Sequence, residues 1–177
     1  MTKGIIFVGE FNNNKNALRL AKAVINLSSE MPDICLHLVG QGGVQEDRLK
    51  QLSREYPNII IFHGPVADKS RLRELYCQCS VFAMPSYSET FGLVYLEALS
   101  QNLAVIYSKG QAIDGMFPPM VGEAVIPNST ESIMDALRKI LTHRGNYSNL
   151  GVDFGQFRWK EIAVRYLNLF KKDLNKH

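Results

Sequence analysis

Short apolar runs recur along the chain, each separated from the next by an amphipathic stretch. Residues 4–9 (GIIFVG) and Ile34–Val39 are almost wholly apolar, as suits parallel strands buried on both faces. Between them Ala17, Leu18, Ala21, Val24 and Ile25 fall at helical spacing, in a helix that runs to about Ser29 before Pro32. The polar loop Glu10–Asn14 precedes it, with Asn13 or Asn14 placed to cap the helix. Gly40–Gly43 predicts a tight turn, Gln45–Tyr56 a charged amphipathic helix and Asn58–Phe62 a third strand. After the loop His63–Lys69, a helix is predicted over Ser70–Gln78 and a fourth strand over Val81–Met84. Ala104–Tyr107 and Glu123–Ile126 read as further strands, on either side of the irregular loop Ser108–Pro119. A helix over Ser129–His143 follows, then a short helix over Tyr147–Phe154. A last amphipathic helix, Trp159–Leu174, carries Ile162, Tyr166, Leu169 and Phe170 on one face.

Strands alternating with helices at this spacing predict an α/β fold: a doubly wound, parallel-sheet, Rossmann-like domain of about six strands. No linker or repeat divides residues 1–177, which are expected to form a single domain. In such sheets ligands bind beyond the carboxyl ends of the strands. The loops there are Glu10–Lys15, Gly40–Gly43, His63–Asp68, Pro85–Thr90 and Ser108–Gly115.

Composition narrows the function classes. The chain has 177 residues, 46% hydrophobic and 21% charged, with a net charge of +3. That charge is too small to argue for nucleic acid. No apolar run approaches the ~20 residues of a membrane span. The N-terminus MTKGIIFVGE lacks a signal-peptide pattern. Three cysteines (Cys35, Cys77, Cys79) are an odd count that suits a reducing compartment, so a cytoplasmic location is expected. Cys77-Gln78-Cys79 is not a zinc spacing, and the four histidines are scattered, so no metal site is predicted.

Chemistry concentrates in residues 81–99, VFAMPSYSETFGLVYLEAL. A strand breaks at Pro85, and a nearly apolar helical stretch begins at Phe91. Glu89 lies in the loop and Glu97 inside the helix, with seven residues between them. A carboxylate on so apolar a helix needs a cation, hydrogen-bond donors or water. With Phe91 opening the helix, the amides of Phe91, Gly92 and Leu93 are among its unpaired donors and suit an anion, phosphate above all. Two acids beside such a site fit a ligand with both phosphate and hydroxyls, a nucleotide sugar. Ser86-x-x-Glu89 also fits a helix capping box, and Glu97 could pair with a distant Lys or Arg. The first loop, G-E-F-N-N-N, lacks the dinucleotide fingerprint, which argues against a nicotinamide cofactor.

Nearly the whole chain resembles the C-terminal, donor-binding domain of family 4 (group 1) retaining glycosyltransferases, half of a two-domain GT-B architecture. GIIFVGEFNNNKN is similar to the family's first strand and lysine-bearing loop, HLVGQGG to its paired-glycine turn, and IIIFHGPV to the strand before the base pocket. PSYSETFGLVYLEALSQNLAVIYS is similar to the signature block with its paired glutamates, and FRWKEIAVRYLNLF to the closing helix. The resemblance implies a nucleotide-diphosphate sugar as donor substrate and no cofactor. It gives Glu97 the ribose hydroxyls, Glu89 the transferred sugar, the Phe91–Leu93 amides the diphosphate, and Lys15 the leaving phosphate. Gly9, Glu10, Gly40, Gly42, Val66 and Thr90 would complete the nucleotide-sugar site. Transfer proceeds with retention in the family, and no metal is needed where lysine and helix amides supply positive charge.

Two positions depart from the pattern. Glu10 stands where the family usually has an arginine facing the phosphates. A charge at about 4 Å is worth roughly 1–4 kcal/mol between water and a protein surface, so an anion there would lower affinity or rate. Either Glu10 turns away, or another cation such as Lys109 substitutes, or the protein is a weak or inactive member. Gln111 replaces one of the paired glycines after the fifth strand, and its side chain is expected to narrow the pocket. The family's acceptor-binding N-terminal domain is missing from these residues; through it, full-length members associate with membranes. The last helix would pack toward that domain, and its apolar face, left open, favours a dimer. The alternative is a catalytically inactive nucleotide-sugar-binding or scaffold module. A related sugar-nucleotide epimerase finds no catalytic constellation here.

Overall fold

In a computed structural model the structure describes residues 3–90, 92–111 and 113–157. Six parallel strands form one sheet: β1 (Lys3–Val8), β2 (Ile34–Val39), β3 (Ile60–Gly64), β4 (Val81–Ala83), β5 (Ala104–Ser108) and β6 (Gly122–Val125). Their order is β3-β2-β1-β4-β5-β6. All six residues of β2 and all five of β5 are buried, the signature of a sheet covered on both faces. The helices are α1 (Ala17–Leu27), α2 (Glu46–Glu55), α3 (Lys69–Cys77), α4 (Leu93–Ser100) and α5 (Thr130–Thr142). Leu20, Ala21, Val24 and Leu27 of α1 pack toward Ile133, Leu137 and Ile140 of α5 in one core. Arg138 of α5 grips both carboxylate oxygens of Glu30, just past α1, at 2.9 and 3.0 Å. The chain winds outward from β1 to β3 and then from β4 to β6. The β1/β4 boundary is therefore the switch point where such sheets take ligands.

Two local expectations change. No helix covers Tyr147–Phe154; 3₁₀ turns occupy Arg144–Asn146 and Phe154–Phe157. The polar groups between them are committed elsewhere: Ser148 N–H donates to Met120 O, and the Asn149 amide to Leu99 O at 2.8 Å. Neither Asn13 nor Asn14 caps α1. Asn16 stands at the N-cap in the left-handed region (φ 60°), a conformation asparagine tolerates better than most residues. The closing helix Trp159–Leu174, with its expected domain and dimer contacts, lies outside the described residues.

The histidines are not all scattered. His37 of β2 and His63 of β3 stack with ring centres 5.2 Å apart, and His37 Nδ1 lies 2.9 Å from His63 Nε2. The Cys35 thiol is 3.5 Å from His37 Nε2. No group of three or more metal-ligating side chains converges among the described residues. Burial, and then the neighbouring His63, push the His37 imidazole down to about 4 from its ordinary 6.5. On acidification the unfolded chain therefore takes up the proton first. The contribution of this pair to stability is complete above pH 6.5 and is lost progressively toward pH 4. Urea unfolding across that window should show a steeper loss in the wild type than in His37→Gln; equal pH slopes would contradict the pairing.

Candidate functional site

The loop after β1 and the loop after β4 meet at the switch point, and asparagines fasten them. The Asn14 side-chain amide donates to Ser88 O at 2.8 Å and its carbonyl accepts from Ser88 N–H at 2.9 Å. Asn14 O also accepts from Tyr87 N–H at 2.8 Å. Buried Asn16 donates to Pro85 O at 3.0 Å and to Pro127 O at 2.7 Å. Asn12 Oδ1 accepts from the backbone N–H of Lys15 at 2.9 Å, turning the chain so that Lys15 points across to the second loop. The Lys15 ammonium there donates to, and forms an ion pair with, Glu89 Oε2. The Glu89 side chain is only 11% exposed and that of Lys15 25%, so solvent screens the pair weakly.

The helix behind Glu89 is set by a glycine and a tyrosine. Helix α4 opens at Leu93, not at Phe91, with Gly92 as N-cap at φ 69°. Tyr95 N–H bonds to Gly92 O, which leaves the Leu93 and Val94 amides of the first turn without intrahelical partners. Phe91 lies outside the described residues. Tyr95 is fully buried, donates its hydroxyl to Met84 O at 2.7 Å and meets Phe82 edge-on. A Cβ on Gly92 would lie 2.8 Å from the Tyr95 ring and 3.3 Å from the Glu89 carboxyl carbon. Burial, reinforced by the Glu89 charge, raises the Tyr95 phenol well above its ordinary range and keeps it a donor.

Glu97 is exposed on α4 and makes no ion pair among the described residues. Its nearest partner is the buried Tyr76 hydroxyl, 3.4 Å from Oε2. Burial and Glu97 both raise the Tyr76 phenol, so it too stays protonated. Glu97 lines a groove of about 420 Å³ between α3 and α4, with Ala67, Lys69, Leu72, Arg73 and Tyr76. The half-buried Val66 directly precedes that wall.

The remaining sequence-predicted positions are distributed around this centre. Glu10 is exposed and accepts from the Asn12 amide at 3.1 Å, with its side chain toward Gly42. Gly9, Gly40 and Gly42 form the close meeting of the β1 and β2 ends; a Cβ on Gly40 would run into Gly9 O. Thr90 is exposed at the loop tip, and Lys109 is exposed with its backbone tied to Val125 O. Gln111 accepts from the Glu89 N–H at 3.2 Å, so it braces the acid-bearing loop. The Ser86–Glu89 capping box does not form: Ser86 Oγ is buried without a partner among the described residues, and Ser86 O accepts from Ser108 Oγ at 2.5 Å. Sequence reasoning missed Asn14 and Asn16 as fasteners of the loop that carries Glu89, and Tyr76 and Gln111 as partners of Glu97 and Glu89. The run of asparagines was the available signal for the first two.

The sequence profile of the family described as "Glycosyl transferases group 1" matches residues 2–143. The chain belongs to this family. It is 31% identical over 172 residues to a sulfoquinovosyl transferase of Arabidopsis thaliana, covering 93% of this chain and 32% of that protein. Among solved structures it is similar to the C-terminal domain of a group 1 glycosyl transferase from Francisella tularensis (TM-score 0.70, 25% identity, 82% of this chain and 79% of that one). It is also similar to sucrose-phosphate synthase from Thermosynechococcus elongatus (TM-score 0.78, 26% identity, 99% and 46%). The chain thus spans about a third of the length of the Arabidopsis relative and has the Rossmann-like fold of a GT-B C-terminal domain. Among the described residues no helix is long and apolar enough to cross a membrane.

Gly92→Ala should lower stability by about 2 kcal/mol in urea unfolding, since it combines a left-handed backbone with a collision at Tyr95. A loss under about 0.5 kcal/mol, the range of a neutral surface change, would show that α4 does not depend on this glycine.

Proposed function

We propose that this chain is the donor-binding half of a retaining glycosyltransferase that takes a nucleotide-diphosphate sugar. The observation that carries the reading is the Lys15–Glu89 pair at the switch point, one side of the opening turn of α4, with Glu97, free of ion pairs among the described residues, further along that helix. In this reading the Glu97 carboxylate accepts hydrogen bonds from the ribose hydroxyls, and the α3–α4 groove and Val66 flank the nucleoside. The Gly92 and Leu93 amides face the diphosphate, and Glu89 contacts the hydroxyls of the transferred sugar. Gly9, Gly40 and Gly42 let the donor approach the strand ends, and Thr90 completes the loop around it.

The chemistry follows from where charge grows. As the bond between the sugar and the phosphate breaks, positive charge develops on the sugar ring and negative charge on the departing diphosphate. Lys15 and the first-turn amides are fixed positive groups that stabilise the second more strongly in the transition state than in the ground state. Glu89 keeps Lys15 oriented before the donor arrives, and the diphosphate then shares that ammonium. The acceptor would be held by a second domain outside these residues, in the cytoplasm or at a membrane surface, as a glycan or a lipid-linked molecule. The sulfoquinovosyl transferase and the sucrose-phosphate synthase to which the chain is similar are consistent with sugar transfer.

Glu10 favours a second reading, a module that binds donors without turnover. Its carboxylate is directed to Asn12 and not to Lys15, so it adds negative charge at the rim without neutralising the catalytic cation. Under this reading Glu10→Arg strengthens donor binding.

Calorimetric titration with UDP- and GDP-linked sugars tests the proposal. One donor class should bind, and Glu97→Ala should weaken it about 10- to 100-fold, the value of a hydrogen-bonded charged group. Failure of both donors to bind at millimolar concentration, or equal binding by the variant, would overturn the reading.

A further inference from the structure

A second concavity opens on the α1 side of the same two loops. It has a volume of about 300 Å³ and is lined by Asn13, Leu18, Arg19, Lys22, Gln45 and Tyr87. Its charge is unbalanced: two cations and no carboxylate line it. Arg19 Nε is buried and has no hydrogen-bond partner among the described residues. Among the described residues the other guanidinium nitrogens reach only two neutral hydroxyls, Thr130 Oγ1 and Tyr87 Oη, each at 3.4 Å, long for a hydrogen bond. Arg19 and Lys22 form no ion pair among the described residues, whereas Lys15 beside them has Glu89. Arg19 also lies in the first turn of α1, which contains no acid, where the helix dipole is positive and a second cation is unfavourable.

The neutral polar groups of the wall are already used. Gln45 accepts from Leu18 N–H at 3.0 Å and donates to Asn13 Oδ1 at 3.1 Å. They fix the wall and leave the guanidinium and the Lys22 ammonium as the unspent donors. A guanidinium fork matches the oxygens of a phosphate two at a time. The space exceeds what one ion fills, and it reaches the lower limit of small-molecule pockets. Leu18 and the 43%-exposed ring of Tyr87 offer apolar surface for an organic group attached to the anion.

We propose that this cavity is a binding site for a phosphate monoester, with Arg19 and Lys22 holding the oxyanion and Leu18 and Tyr87 receiving the esterified group. It is separate from Lys15, Glu89 and the α4 amides. Tyr87 belongs to the loop that carries Glu89 and Asn13 to the loop that carries Lys15, so a ligand here touches both loops of the donor site from behind.

The test is a residue-resolved NMR titration of the 177-residue chain with methyl phosphate and, separately, with inorganic phosphate. Methyl phosphate should produce saturable shifts at the Arg19 Nε–H and the Asn13 and Tyr87 amides. Arg19→Gln should weaken binding at least tenfold. Lys22→Ala, an exposed change that leaves the core untouched, should weaken it several-fold and keeps the test valid if the Arg19 variant folds poorly. Shifts confined to Leu93 and Val94, shifts unaltered in both variants, or no saturable binding would overturn the site. Binding of inorganic phosphate without methyl phosphate would overturn the ester assignment.

Discussion

The geometry at the switch point depends on hydrogen bonds between two loops that the sheet alone does not hold together. Adjacent parallel strands fix where β1 and β4 end; they do not fix where residues several positions beyond those ends point. Asn14 supplies that constraint through three bonds to Tyr87 and Ser88, and Asn16 through two more to Pro85 and Pro127. Each is worth about 0.5–1.5 kcal/mol net. Together they bring a lysine and a glutamate 74 positions apart into an ion pair shielded from solvent. Without them two long side chains would lose rotamer freedom to meet, which is why most exposed pairs contribute little.

A second constraint acts from below. Tyr95 pins α4 to the end of β4 through Met84 O, and Gly92 is the residue that lets the chain turn over that ring. Gln111 adds a brace from the loop after β5. Glu89 is thus held from three elements, while Glu97 stays exposed, with the Tyr76 hydroxyl at 3.4 Å. One acid is preorganised and the other is available, and a ligand carrying both a reacting sugar and a ribose would meet them differently.

The fold was legible because its signals are periodic. Unbroken apolar strands and the stripes of α1 and α5 leave little choice of topology. Glu89 and Glu97 stood out for a related reason: acids in and beside a nearly apolar helix demand a partner, whereas Lys15 was legible only through the resemblance to the family's lysine-bearing loop. What escaped was cross-loop chemistry. Asn14 read as a helix cap, and Asn16 drew no reading, because the local use of an asparagine is visible in sequence and a bond 74 residues away is not. Gln111 read as an obstruction because only its size is visible, not the amide that its carbonyl meets. The start of α4 moved from Phe91 to Leu93 because a glycine at positive φ ends one backbone direction before the helix begins. His37 and His63 lie 26 positions apart and became neighbours through the β2–β3 register.

The most direct test of this account is a double-mutant cycle between Asn14 and Glu89, with unfolding free energies of Asn14→Ala, Glu89→Ala and the double variant measured in urea. If the asparagine clamp holds Glu89 on Lys15, the two changes are coupled by about 1 kcal/mol, within the range for residues of one network. Additivity within about 0.3 kcal/mol, as between independent sites, would show that the ion pair forms without the clamp.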